Sequence, residues 1–295
     1  MILAHRGDSF HAPENTLEAA GLGHLAGADG WELDVRLTRD GVPVVLHDES
    51  LIRTTDVARR FQGDPRGDRG FLVGDFTLEE VRSLDAGSWF VEPFGGPRSA
   101  ADFGTLGRLP GARRDLYASG AVRVPTLVEA LDWSRTLDWL VNVEIKPTPG
   151  DPSAQVVAVL NAIGSTDMVD HATVSSFDLA VVAEVASRQP GLATGALVSG
   201  PVDPDRVVGF LATLGADALH APPFGLPPMS AGVPVLVYTV NDAGPGGLAG
   251  RLADEGVAGL FTDDPASLTD GRPITPSSAR TRPRWETAGR PSGGR

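Results

Sequence analysis

Along most of the chain, short runs rich in apolar and β-branched residues alternate with longer stretches whose apolar residues recur at spacings of three and four. The short runs at 2–4, 31–35, 140–145, 172–175, 193–198, 216–219, 235–240 and 257–261 read as strands, and the segments 15–25, 153–163, 179–187 and 205–214 carry the helical spacing. Thr126, followed three residues on by Glu129 and flanked by Leu127, Val128, Ala130 and Leu131, has the spacing of a capping box opening a further helix. Strands alternating with helices predict an α/β domain with parallel strands. Eight such units fit a closed, TIM-like (β/α)8 barrel better than the open doubly wound sheet that is its rival.

A ninth β-like run, VPVVL at 42–46, follows the turn-like TRDG and reads as the return arm of a hairpin. A return of that length brings His47 back beside Glu32 and Asp34. Residues 49–123 then break the rhythm. Thr77 opens a short helical pattern, but Gly, Pro and Arg dominate 90–111, so this stretch is expected to be an insertion after strand two within a barrel covering 1–268. From 269 onward Pro, Gly, Ser, Thr and Arg prevail, a composition expected to be disordered.

The polar positions inside the apolar runs carry the chemistry. In WELDV, strand alternation places Glu32 and Asp34 on one face and Trp31, Leu33 and Val35 on the other. A solvated acidic face is the plain reading of such a pair taken alone. If that face points into a barrel, two carboxylates there are costly without a cation. Glu144 near the end of another strand supplies a third carboxylate, and the oxygen-rich trio suits Mg²⁺ or Ca²⁺, with Mn²⁺ also possible. His5 and Arg6 follow the first strand directly, His47 follows the hairpin arm and precedes Asp48, and Lys146 shares a strand face with Glu144. Two imidazoles able to exchange protons near neutral pH, three carboxylates and two cations at strand ends favour phosphoryl chemistry over glycoside hydrolysis, which needs paired carboxylates without cations.

Composition narrows the field. The chain has 295 residues and no cysteine, which removes disulfides, thiolate metal sites and cysteine nucleophiles. A formal charge of -13 repels polyanions, so no nucleic-acid partner is expected; a small phosphorylated substrate held by local cations fits better. Lys146 is the only lysine. No signal peptide and no apolar run of spanning length is seen, so a cytoplasmic location is expected.

Taken together, AHRG at 4–7, PENT at 13–16, ELDVRLTRDG at 32–41, VPVVLHD at 42–48, LDAGSWF at 84–90, VPTLVEAL at 124–131, EIKP at 144–147, SSF at 175–177, TVN at 239–241 and GLFTDDP at 259–265 make the chain resemble the glycerophosphodiester phosphodiesterase family. The resemblance implies a TIM-like barrel that hydrolyses glycerophosphodiesters to sn-glycerol 3-phosphate and an alcohol. It implies His5 and His47 as the acid–base pair, Glu32, Asp34 and Glu144 as ligands of Ca²⁺ or Mg²⁺, and Arg6 and Lys146 on the phosphate. Asn15, Phe177 and Tyr238 are further candidates for substrate contact, although Asn15 equally suits organising the start of a helix. Tyr238 stands where the family commonly has tryptophan, a change bearing on leaving-group preference. The insertion is expected to roof the pocket, and an apolar channel around Trp89, Phe90 and Phe94 would favour a lysophospholipase D-like activity. A diesterase for another polyol phosphate and a non-catalytic phosphate-binding domain are the remaining alternatives. His220, ending its strand, is expected on the exposed rim, with an extension of the polar pocket as the alternative, and His11, His24 and His171 are expected to be structural or solvent-facing.

Overall fold

The computed structural model describes residues 1–92, 109–147, 151–244 and 246–269. Nine strands form one sheet: β1 (Ile2–His5), β2 (Gly30–Leu37), β3 (Pro43–Val45), β4 (Leu140–Ile145), β5 (Ala172–Ser176), β6 (Ala193–Leu197), β7 (Ala218–Ala221), β8 (Val235–Val237) and β9 (Gly259–Thr262). Parallel pairing runs from β2 through β4 to β9, and β1 pairs with both β9 and β2, which closes these eight parallel strands into a barrel. β3 is the exception. It runs antiparallel to β2, with Val35 opposite Val45, and is the hairpin arm read from the sequence.

The alternation in WELDV has its expected consequence. Trp31, Leu33 and Val35 are fully buried on the outer face of the barrel against the surrounding helices, in one core with Leu127, Leu131, Trp139 and Val156. Trp31 and Trp139 stack with centroids 6.2 Å apart, and their indole N–H groups donate to Ser134 and to the Ala28 carbonyl, so neither buries an unpaired donor. Burial of each such side chain contributes about 1.5–3 kcal/mol. The Thr126 capping box forms as spaced, with Glu129 N–H on the Thr126 hydroxyl at 3.1 Å and Thr126 N–H on the Glu129 carboxylate at 2.9 Å. The floor of the lumen is apolar, built from Leu3, Ala218, Leu236 and Phe261.

Two strand starts lie later than the apolar runs suggest. Gly215, at φ 67°, caps the helix Val207–Leu214, and the Ala216 N–H turns back to the Leu211 carbonyl, so β7 begins only at Ala218. Gly256 acts likewise on the helix Leu248–Glu255, with Val257 N–H on the Leu252 carbonyl, which delays β9 to Gly259. Between β3 and the helix Leu127–Thr136, short helical turns enclose an apolar cluster of their own, including Leu51, Val57, Phe76, Leu84, Trp89, Phe90 and Tyr117. Phe94 and residues 270–295 fall outside the described residues. No helix among the described residues is long and apolar enough to cross a membrane.

Candidate active site

The carboxyl ends of β1, β2 and β4 converge because the register aligns them: His5 lies opposite Glu32 and Asp34 opposite Glu144. Interior-pointing positions on neighbouring strands thus become one acidic cluster. Glu32, Asp34 and Glu144 are all buried, and an oxygen from each lies within 4.8 Å of the others. Glu32 Oε1 is buried with no hydrogen-bond partner among the described residues.

Two cations face this cluster. The chain turns sharply after β1, with Arg6 at φ 58° and Gly7 at φ 81°, and a Cβ on Gly7 would lie 2.5 Å from the Ala19 backbone. That turn directs Arg6 N–H onto Glu32 at 2.9 Å and its guanidinium toward Glu14 at 2.9 Å and Asp34 at 3.2 Å. Lys146 Nζ lies 3.0 Å from Asp34 and also contacts Glu144. Burial works against ionising Asp34, but the Arg6 and Lys146 charges outweigh it and hold this carboxyl well below the usual range. Glu32 and Glu144 go the other way: burial and the Asp34 charge push both upward. Only when all three carboxylates ionise together do they outnumber the two cations, and the all-oxygen donor set with the orphaned Glu32 oxygen fits a hard divalent cation that would favour that ionised state.

Each rim histidine has its own carboxylate. His5 Nδ1 pairs with Asp263 at 2.6 Å, and Asp263 is itself fixed by Ser9 at 3.1 Å and by the Asn241 amide at 2.7 Å. Burial lowers the His5 pKa, but the Asp263 hydrogen bond and the Glu32 charge overcome this and raise it. His47, delivered by the hairpin, pairs through Nδ1 with Asp48 at 2.7 Å. Arg53 then ties Asp48 (2.6 Å) to Glu14 (2.7 Å), which also holds Arg6. In both rings Nδ1 is engaged and Nε2 is left for chemistry.

A cavity of about 260 Å³ lies over this cluster, lined among others by His5, Arg6, His47, Lys146, Phe177 and Tyr238. Phe177 is exposed at its mouth and meets Tyr238 edge-to-face at 5.9 Å, while the Tyr238 hydroxyl is tied to the Val198 carbonyl at 2.5 Å. Asn15, a candidate for substrate contact, lies beside Asp34 and is not among the residues lining this cavity. Its amide is committed to Asp34, and Thr16 rather than Asn15 caps the following helix. Trp89 and Phe90 are not channel walls either: both are buried in the cluster between β3 and the helix Leu127–Thr136, where Phe90 packs edge-on to Tyr117.

For His220 the rim reading is corrected and the pocket reading holds. The delayed start of β7 places it inside the strand, so its ring points into the lumen, lines the cavity and is completely buried instead of standing on the rim. His11 and His171 pair with Asp8 and Asp138, and His24 packs edge-on to Trp139. Sequence reasoning gave no role to Asp263, Glu14 or Arg53. The DDP that follows β9 is the one visible signal for the first of these.

The model of the glycerophosphoryl diester phosphodiesterase family matches residues 5–267. A glycerophosphodiester phosphodiesterase of Caldanaerobacter subterraneus subsp. tengcongensis is 33% identical over 279 residues, spanning 91% of this chain and 96% of the relative. Among solved structures, an Oleispira antarctica phosphodiesterase in complex with the product sn-glycerol-3-phosphate superposes with a TM-score of 0.71 at 28% identity, over 92% of this chain and 96% of the other. A glycerophosphodiester phosphodiesterase from Agrobacterium tumefaciens does so with a TM-score of 0.65 at 27% identity, over 91% and 98%.

Proposed function

The chain belongs to the glycerophosphoryl diester phosphodiesterase family, and from that premise we propose that it hydrolyses glycerophosphodiesters to sn-glycerol 3-phosphate and a free alcohol, using a divalent cation held by Glu32, Asp34 and Glu144. The observation that carries this reading is the pair of carboxylate-oriented imidazoles, His5 with Asp263 and His47 with Asp48, flanking the buried acidic cluster in one cavity. A small glycerophosphodiester is the partner this site suits.

His5 and His47 divide the proton work. One Nε2 takes the proton from the attacking oxygen and the other protonates the departing alkoxide, while Asp263 and Asp48 keep each ring in the tautomer that leaves Nε2 available. Arg6 and Lys146 offset the charge that gathers on the non-bridging phosphate oxygens. Glu32, Asp34 and Glu144 would hold the cation, which would supply Lewis-acid polarisation of the phosphoryl group. Tyr238 and Phe177 form the aromatic wall by which a leaving group passes.

The test is release of sn-glycerol 3-phosphate from glycerophosphocholine by metal-stripped protein, with Mg²⁺, Ca²⁺ or Mn²⁺ restored singly and His5→Ala in parallel. Turnover that needs both a cation and His5 is the expected result. Folded protein that releases nothing with any of the three ions overturns the proposal.

A further inference from the structure

His220 is completely buried on the cavity wall, yet neither ring nitrogen has a hydrogen-bond partner among the described residues. The other two cavity histidines are each bonded to a carboxylate; His220 is not. Burial is the whole cause of its pKa being lowered to about 3, which favours the neutral ring. Its strand partners in register are Leu197 and Leu236, and the Phe261 ring lies 5.2 Å away. Room for the imidazole is made by Gly195, where a Cβ would lie 2.5 Å from both Cε1 and Nε2 of the ring.

Such a wall suits a particular chemistry. A neutral imidazole offers one donor and one acceptor, the complement of a hydroxyl, which also gives one and takes one. The neighbouring cavity residues Leu197, Tyr238 and Phe261 carry no charge, and the Tyr238 hydroxyl is already spent on a carbonyl. A charged group here would find no counterion among them. Within the proposed reaction the glycerol moiety is the constant part of the substrate and suits an enclosed recess, whereas a variable alcohol needs the open side near Phe177.

We propose that His220 is a specificity contact that hydrogen-bonds an uncharged hydroxyl of the glycerol moiety. This rests on the glycerophosphodiester reading above. It makes His220 a recognition group without a part in proton transfer.

Binding of sn-glycerol 3-phosphate is compared with that of methyl phosphate, which has the same charged group and no hydroxyl, by calorimetry in Mg²⁺ for the wild type, His220→Phe and His220→Gln. The Phe variant is expected to lose roughly three- to tenfold in affinity for sn-glycerol 3-phosphate and nothing for methyl phosphate, and Gln to recover part of the loss. Equal weakening of both ligands, or of neither, overturns the inference. Should Phe at 220 fail to fold, ¹⁵N resonances of the His220 ring in the wild type decide it. They are expected to shift with sn-glycerol 3-phosphate and not with methyl phosphate, and rings insensitive to both refute the contact. Hydrolysis of glycerophosphocholine by the wild type is followed separately: its absence, with discrimination between the two ligands retained, removes the proposed reaction and leaves the contact standing.

Discussion

Asn15 and Asp34 grip each other twice: the Asn15 amide donates to Asp34 Oδ2 at 2.7 Å, and the Asp34 N–H donates to Asn15 Oδ1 at 3.1 Å. Asn15 reaches this position from a left-handed backbone conformation, φ 59°, which asparagine tolerates better than most residues. The loop before the first helix therefore orients a carboxylate of the acidic cluster from behind.

Replacing Asn15 with Ala removes both bonds and leaves a buried carboxylate short of a donor. The expected cost is about 2 kcal/mol of stability, from the lost hydrogen bonds and the strained backbone. Cation affinity is expected to fall roughly tenfold, as is usual when a partner behind a ligand is lost. Urea unfolding and metal titration calorimetry measure the two effects. Asn15→Gly, which relieves the backbone and still lacks the amide, is expected to recover stability without recovering affinity.

Asp263 positions His5 and raises its pKa. In Asp263→Asn the pKa of His5 falls, because the carboxylate that favoured the protonated ring is gone while burial still disfavours it. The limb of the pH–rate profile that His5 controls is expected to move to lower pH, whether His5 serves as acid or as base. A loss of roughly 10²-fold or more in kcat, with little change in KM, is expected from the misplaced ring. A uniform loss with an unmoved profile would point to a purely structural Asp263.

Cation binding is expected to be linked to protons. Glu32 and Glu144 are raised in the metal-free protein by burial and the Asp34 charge, so above the ordinary carboxylate value of 4.5 the folded state holds protons that the unfolded chain has lost. Metal-free stability must then fall as pH rises from that value through the raised pKa values, by at most about 1.4 kcal/mol per pH unit for each proton. A cation displaces those protons. Its affinity is expected to climb with pH over the same window, with proton release visible as a buffer-dependent calorimetric enthalpy. Thermal melts with and without Mg²⁺ at several pH values should diverge as pH increases, and parallel curves would contradict the raised carboxylates.

Local spacing is enough to make much of this protein legible. The period-two alternation in WELDV decides that Glu32 and Asp34 share a face with Trp31, Leu33 and Val35 on the other. The Thr126–Glu129 spacing decides a helix start, and the TRDG turn decides that His47 returns toward β2. Those are short-range facts, fixed by backbone geometry over a few residues. Closure of the barrel is what brings Asp263, at the end of β9, to His5 at the end of β1, 258 residues away along the chain. No local pattern encodes that contact, which follows only when the last strand pairs with the first. Burial is likewise a property of the assembled layers. It turned Trp89 and Phe90 inward, and through the late start of β7 it set His220 in the lumen, because where a helix cap ends and a strand begins is settled by hydrogen bonds such as Ala216 to Leu211 and not by the apolarity of the run. The sequence by itself determined the barrel, its acidic cluster and its two rim histidines; only the tertiary structure decided which carboxylate holds His5, where His220 faces and which aromatics are left to line the cavity, since each depends on packing between segments distant along the chain.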